Sequence, residues 1–148
     1  MRSGREKLRR VKGGYSLLEI LIVLAIIALI ATLVGPRLFA QLDRSKTTAA
    51  RVQVKALETA LETMRLDIGR YPTAAEGLPL LNSADPKAVT GWYGPYLSGG
   101  LPADPWGRPY VYQPADGANP EPKVMSYGAD GKPGGEGPAA DVYNLAGR

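Results

Sequence analysis

The 148-residue chain contains neither cysteine nor histidine. Without cysteine, no disulfide can stabilise the fold, and cysteine usage carries no information about the redox compartment. Without histidine, the Ser-His-Asp and Cys-His catalytic arrangements are excluded, and so are zinc sites built from histidine and cysteine. These absences argue against a hydrolase, and the sequence predicts a protein that is not an enzyme.

The formal net charge of +4 comes from the start of the chain. Six of the 18 basic side chains and one of the 14 acidic side chains precede Tyr15, which leaves 12 basic and 13 acidic side chains in the rest. That remainder has no basic patch with interleaved aromatic residues, so no nucleic-acid partner is predicted. A basic segment before an apolar one instead indicates a cytoplasmic N-terminus.

A long apolar run follows the basic segment. Glu19 is the only charged residue from Leu17 to Val34, and about 20 apolar residues are needed to cross a bilayer. The run is longer than the roughly 7–15 apolar residues of a secretory signal, and no Ala-x-Ala cleavage site follows it. The sequence therefore predicts a membrane-spanning helix over residues 15–36, preceded by a basic leader over residues 1–14.

The pattern changes to that of a half-buried helix after residue 43. One helical face repeats apolar residues every three or four positions: Ala50, Val54, Leu57, Leu61, Met64 and Ile68. Gly69 and Pro72 then give a stop signal. We expect one helix over about residues 16–68, kinked where Pro36 removes a backbone hydrogen bond.

The residues from position 70 onward are rich in proline and glycine and predict short elements. A short turn is expected over residues 74–81, and strands over residues 108–113, 122–127 and 141–145. Residues 115–121 are expected to connect the first two strands. Because a one-sided helix needs a partner layer, the expected fold is α+β, with a domain over residues 37–148 in which the helix packs on a small antiparallel sheet.

The segment Gly14-Tyr15-Ser16-Leu17-Leu18-Glu19 resembles the prepilin peptidase site of type IV pilins and type II secretion pseudopilins, although that family usually has Phe where this chain has Tyr15. The resemblance implies cleavage after Gly14, methylation of the new N-terminal residue Tyr15, and a role in filament assembly for Glu19. By this resemblance Glu19 pairs with the Tyr15 amine of a neighbouring subunit. The alternative is an uncleaved signal anchor in which Glu19 lies near the membrane interface.

Three later stretches resemble major pseudopilins and occur in the order found in that family. They are Arg70-Tyr71-Pro72-Thr73 with Glu76-Gly77-Leu78, Leu101-Pro102-Ala103-Asp104-Pro105-Trp106-Gly107-Arg108-Pro109-Tyr110, and Ser126-Tyr127-Gly128-Ala129-Asp130-Gly131. Taken alone, Asp-Pro-Trp-Gly is a turn with a buried tryptophan. Together the motifs cover nearly the whole chain, and the resemblance implies a pilin-like fold. Type IV pilins typically close their C-terminal region with a disulfide, which this chain cannot form.

The resemblance to major pseudopilins also implies a calcium ion bound by the glycine-rich C-terminal loop. Asp130 and Asp141 match acidic ligands, and the backbone carbonyls of Tyr127 and Lys132 match the family's backbone ligands. Ala140 stands where the family has another acid, and Glu136 is a candidate replacement. Calcium takes six to eight oxygen ligands, so the alternative of a solvated loop without metal stays open.

As a whole, the resemblance implies the major structural subunit of a type II secretion pseudopilus. Such a subunit is anchored in the inner membrane by a single span, and its C-terminal domain is periplasmic. The implied partners are further copies of the chain, minor pseudopilins, the inner-membrane assembly platform and prepilin peptidase. Two alternatives remain at this point: a type IV pilin of an adhesion or motility filament, and a membrane-anchored calcium-binding module.

Overall fold

A computed structural model describes residues 14–85 and 87–144. The chain forms two compact units, which divide between Phe39 and Ala40. Of the predicted leader, only Gly14 lies within the described residues.

Helix α1 spans Leu17–Ile68, which confirms the prediction of one long helix. The Glu19 N–H donates to the Ser16 hydroxyl at 3.2 Å, so Ser16 caps the first turn. Gly69, with φ of 79°, follows the last turn and donates its N–H to the Arg65 carbonyl at 2.8 Å. Pro36 lies inside the helix and does not end it.

The part of α1 in the first unit is exposed on all sides. From residue 17 to residue 39 every residue except Gly35 is exposed, and nearly all are apolar. This stretch is long and apolar enough to cross a membrane. The first unit therefore has no apolar core of its own within the described residues.

The part of α1 in the second unit buries one face, as its periodicity predicted. The buried helical residues are Ala50, Val54, Leu57, Ala60, Leu61 and Met64. Ile68, which was predicted to share this face, is only partly buried. Buried side chains from the sheet and from the preceding loop complete the core.

The sheet has three antiparallel strands in the order β1-β2-β3. They are β1 Val111–Gln113, β2 Lys123–Ser126 and β3 Val142–Tyr143. In register, Val111 pairs with Met125 and Ser126 pairs with Val142. Every predicted strand is present in a shorter form, and Leu145 of the third prediction lies outside the described residues.

The long loop between α1 and the sheet contributes much of the core. A 3-10 helix spans Leu78–Leu81, at the end of the predicted turn, and buries Leu78, Leu80 and Leu81. The indole N–H of Trp92 donates to the Leu80 carbonyl at 2.9 Å. A second 3-10 helix, Gly137–Ala139, lies in the C-terminal loop and was not predicted.

Candidate assembly and calcium sites

The predicted cleavage and assembly residues lie together at the start of α1. Tyr15 is 79% exposed and precedes the capping residue Ser16. Ser16 also accepts the Ile20 N–H on its carbonyl, at 3.2 Å. Since the helix begins at Leu17, Glu19 belongs to its first turn, and its side chain is exposed.

Gly14 is in open space. A Cβ added at this position would meet no atom within 4 Å among its described surroundings. Packing against the described residues therefore does not demand glycine at position 14.

The C-terminal loop folds back on itself. The Ala129 N–H donates to the Pro138 carbonyl at 2.9 Å, and a Cβ on Gly128 would come within 2.7 Å of the Ala140 carbonyl oxygen. A Cβ on Gly135 would likewise lie 2.6 Å from the Ala139 carbonyl oxygen. Both glycines have positive φ, so the close return of the loop depends on them.

The two predicted acidic calcium ligands differ in their surroundings. Asp130 is exposed, and one of its oxygens accepts the Lys132 N–H at 3.1 Å. Asp141 is half-buried, and its Oδ2 accepts the Gly134 N–H at 3.0 Å. Its Oδ1 is buried and accepts no hydrogen bond from the described residues.

An unpaired buried carboxylate oxygen is costly, and a cation beside it would remove that cost. Within residues 14–85 and 87–144, no three acidic side chains group closely enough to hold a metal ion. Glu136 and Lys132 are exposed. The donor set therefore fits a calcium ion only if backbone carbonyls and water supply most of the oxygens, as calcium allows.

Asp104 supports this loop through hydrogen bonds, a role that was not predicted from the sequence. Its side chain is 1% exposed. Oδ1 accepts the backbone N–H groups of Trp106 at 3.0 Å and Arg108 at 2.8 Å, and Oδ2 accepts the Ser126 hydroxyl at 2.6 Å. The Arg108 guanidinium donates to the Gly128 carbonyl. Asp104 thus connects the Asp-Pro-Trp-Gly turn to the end of β2 and the start of the loop.

The Asp-Pro-Trp-Gly turn itself is present as predicted, closed by the Gly107 N–H donating to the Asp104 carbonyl at 2.8 Å. Trp106 is only partly buried, although its indole nitrogen is covered and has no hydrogen-bond partner among the described residues. The hydrogen bonds from the Trp106 and Arg108 N–H groups could have been predicted, because aspartate in the first position of such a turn commonly accepts backbone N–H groups.

A second polar cluster follows α1. The Arg70 guanidinium donates to both oxygens of Glu76 at 2.7 Å, and Glu76 also accepts the N–H and the hydroxyl of Thr73 at 2.8 and 2.9 Å. The hydrogen bonds from Arg70 and then from Thr73 lower the pKa of Glu76 to about 2. The cluster fixes the turn between α1 and the first 3-10 helix.

Parts of both units match known protein families. A family model described as type II secretion system (T2SS), protein G, matches residues 37–145. A prokaryotic N-terminal methylation motif matches residues 9–35. The two matches cover the apolar helix and the domain with the sheet.

Individual relatives agree with these matches. Type II secretion system core protein G of Pseudomonas aeruginosa is 37% identical over 139 residues, covering 92% of this chain and 96% of that protein. The Vibrio cholerae core protein G is 36% identical over 141 residues, covering 93% and 94%. The crystal structure of the major pseudopilin from the type 2 secretion system of enterohaemorrhagic Escherichia coli has a TM-score of 0.54 and 32% identity, covering 74% of this chain and 94% of that one. The chain therefore has a pilin-like fold and belongs to the type II secretion system protein G family.

Proposed function

We propose that many copies of this chain polymerise into the type II secretion pseudopilus, and that growth of this filament drives folded proteins across the outer membrane. The observation that carries the proposal is the exposed apolar half of α1 in a member of the protein G family. Apolar surface on all sides of a helix needs a bilayer or other helices around it. The role is structural, and the energy for growth comes from other components.

Before assembly the chain is held in the inner membrane by a single span. The basic leader keeps the N-terminus in the cytoplasm, and the domain with the sheet is periplasmic. The partners are further copies of the chain, minor pseudopilins and the inner-membrane assembly platform, which extracts subunits from the bilayer.

Prepilin peptidase cuts after Gly14, and Tyr15 becomes a methylated N-terminal residue. Support comes from the match of the methylation motif to residues 9–35 and from the open surroundings of Gly14. The cut leaves a cationic amine on Tyr15, four residues before Glu19. An unpaired carboxylate inside an apolar filament is strongly disfavoured, whereas a carboxylate paired with an amine is tolerated.

Mass spectrometry of the membrane-extracted protein tests the processing. The expected mature chain begins at Tyr15 and carries a methyl group on its amine. We expect Gly14→Ala to be processed better than Gly14→Leu, and Gly14→Leu to accumulate as precursor. An intact Met1 in the wild-type membrane protein, or normal cutting of Gly14→Leu, would contradict the proposed site.

The role of Glu19 is tested separately from processing. Glu19→Leu is expected to insert and to be cut normally, but to yield few filaments and little secretion. Glu19→Asp is the matched control, because it keeps the charge while shortening its reach. Efficient filaments from Glu19→Leu would overturn the ion-pair account, while wild-type chains that never form filaments would overturn the proposed function.

We further propose that the C-terminal loop binds calcium. Asp130 and Asp141 would supply carboxylate oxygens, and Tyr127 and Lys132 would supply backbone carbonyls. The buried Oδ1 of Asp141, which accepts no hydrogen bond from the described residues, supports this assignment. The ion would neutralise two like charges in one loop and hold its two ends together, which is a structural task.

Thermal unfolding with calcium or with a chelator tests the metal. A ligand that binds only the folded state stabilises it by about 2.7 kcal/mol at a concentration of 100 times its dissociation constant. Asp130→Ala and Asp141→Asn should remove this calcium-dependent gain. Asp116→Asn is the control, because Asp116 caps its own turn through the Ala118 and Asn119 N–H groups. A gain from calcium that survives in both loop variants would refute the site.

A further inference from the structure

The Arg108 side chain connects the Asp-Pro-Trp-Gly turn to the C-terminal loop. Its guanidinium donates to the Gly128 carbonyl of the loop. On the side of the turn, its Nε lies 3.7 Å from Oδ2 of Asp104, and its guanidinium carbon lies 6.0 Å from the centre of the Trp106 ring. The side chain is 35% exposed. The guanidinium is therefore held by residues of the turn while it contacts the loop.

Two glycines of the loop meet this guanidinium. Gly128 is buried, and a buried carbonyl group needs a hydrogen-bond partner, which Arg108 supplies. A Cβ on Gly131 would collide with Nη1 of Arg108. In contrast, a Cβ on Gly134 would meet no described atom within 4 Å, although both of these glycines have positive φ. The guanidinium thus fills the space that a side chain at position 131 would need.

The loop that Arg108 contacts has an excess of negative charge. Residues 127–144 include three acidic side chains and one basic side chain, which leaves a net charge of −2. The acids are Asp130, Glu136 and Asp141. None of them forms a salt bridge within residues 14–85 and 87–144. A fixed cation beside such a loop is attracted to it, so the charge of Arg108 favours the folded position of the loop.

We propose that Arg108 is a built-in cation of the C-terminal loop, which holds the loop in place without metal and lowers the affinity of the loop for calcium. The two glycines that meet its guanidinium directly follow two of the proposed calcium ligands, Tyr127 and Asp130. With a divalent ion bound, the loop has no net charge left, so its attraction for the guanidinium is weakened. Such coupling is reciprocal, so Arg108 and calcium each stabilise the loop less when the other is present. The inference rests on the calcium site proposed above and deepens it.

Thermal unfolding of the full chain in detergent, with calcium chloride or with a chelator, tests the coupling. Arg108→Met keeps a long side chain but removes the charge and the donors. In the chelator it should lower Tm by at least about 4 °C, as expected for the loss of one charged hydrogen bond. In saturating calcium chloride the loss should be less than half as large. A calcium titration should give a Kd at least about threefold lower for Arg108→Met than for the wild type. Arg108→Lys keeps the charge and should keep the weaker calcium binding of the wild type.

Arg65→Met is the matched control, because the Arg65 guanidinium donates to the Tyr71 hydroxyl at 3.0 Å, outside the loop. Its effect on Tm should be the same with calcium chloride and with the chelator. An equal loss of Tm for Arg108→Met in the two conditions, or no loss in the chelator, would overturn the inference and leave the calcium site standing. If neither the wild type nor Arg108→Met gains Tm from calcium, the calcium site itself is wrong and the coupling falls with it.

A double-mutant cycle in the chelator tests the contact with Gly131. Gly131→Ala should lower Tm for two reasons, because alanine is strained at positive φ and because the guanidinium must leave its place. In the Arg108→Met background only the strain remains, so the loss should be smaller by at least about a third. Gly134→Ala is the control, since it introduces strain without a collision, and its loss should be the same in both backgrounds. Equal losses for Gly131→Ala in the two backgrounds would show that Arg108 does not hold the loop at this position and would refute the proposal.

Discussion

The two halves of α1 share one backbone helix but differ in what surrounds them. In the first half, residues such as Leu24 and Leu29 are 59% and 70% exposed. In the second half, Leu57 and Leu61 are each 1% exposed under the sheet and the loop. Leucine thus stabilises the fold of the chain in the second half. In the first half it is exposed and available for contact with a bilayer or a neighbouring subunit. The apolar side chains that form the core and those that remain exposed therefore lie in different parts of a single helix.

The largest expected effect on the free energy of unfolding distinguishes two carboxylates. Asp104 of the second unit is buried, and Glu19 of the first unit is exposed. Asp104→Ala should lower the free energy of unfolding by about 3–5 kcal/mol, because a charged guanidinium and several donors lose their acceptor. Glu19→Ala should leave it unchanged. Denaturant unfolding of the full chain in detergent, followed by tryptophan fluorescence, measures both. Equal losses of unfolding free energy in the two variants would contradict this difference between the two carboxylates.

A leucine pair on the same helix gives the next largest effect. Leu57→Ala should cost about 2–5 kcal/mol, since it removes buried methyl groups and leaves a cavity. Leu24→Ala should change the unfolding of the domain by less than about 0.5 kcal/mol. The same unfolding measurement applies. A destabilisation by Leu24→Ala as large as that by Leu57→Ala would show that the first half is also held by the fold.

Glu76 gives a smaller effect with a defined pH dependence. Its pKa is lowered to about 2 in the folded chain, against about 4.3 in an unfolded chain. The stabilisation is therefore complete above about pH 4.3 and is lost as the pH falls towards 2.

Glu76→Gln should cost about 0.5–1 kcal/mol at pH 7, because the ion pair is partly exposed. The difference from wild type should shrink as the pH is lowered through this range. Glu121→Gln, at an exposed carboxylate, is the control and should show no such narrowing. A difference for Glu76→Gln that stays constant from pH 7 to pH 2 would contradict the ion-pair account.

The smallest expected effect is local and lies in the first half. Ser16→Ala should weaken only the first turn of α1, by about 1 kcal/mol, because the Glu19 N–H loses its acceptor. Faster hydrogen exchange at Glu19 and Ile20, with unchanged unfolding of the second unit, is the expected result. Ser16→Thr should restore protection. Faster exchange spreading to residues near Leu57 would contradict the separation of the two halves.

The helix and its faces could be predicted from the sequence because their signals are local. The periodicity from Ala50 to Met64 and the glycine at position 69 suffice to define the buried face and the end. The strands were placed but overestimated in length. Arg108, at the start of the first prediction, uses its backbone N–H and carbonyl in the turn with Asp104, and proline at 109 and 122 has no N–H to offer a ladder.

The contact of Asp104 with the end of β2 could not be derived in the same way. Asp104 contacts Ser126 across 22 positions of the sequence, and no local pattern reports such a separation. The contribution of the loop to the core was missed for the same reason, since Leu80 and Trp92 meet through a backbone carbonyl rather than a periodic pattern. At the loop, the motif indicates which residues are acidic candidates, but no sequence pattern indicates that Asp130 is exposed or that Oδ1 of Asp141 is buried without a hydrogen-bond partner among the described residues.

The capped start of α1 has an electrostatic consequence for maturation. The N-terminus of a helix carries a partial positive charge, and an acid in the first turn stabilises it by about 0.3–1 kcal/mol. If the chain is cut after Gly14, a full positive charge appears on Tyr15, two residues before the helix begins at Leu17. The same cut removes six basic side chains and one acidic side chain from this end. Cleavage would therefore exchange an excess of positive charge spread over the leader for a single amine close to Glu19, so the mature subunit would carry less positive charge here but hold it at one defined position.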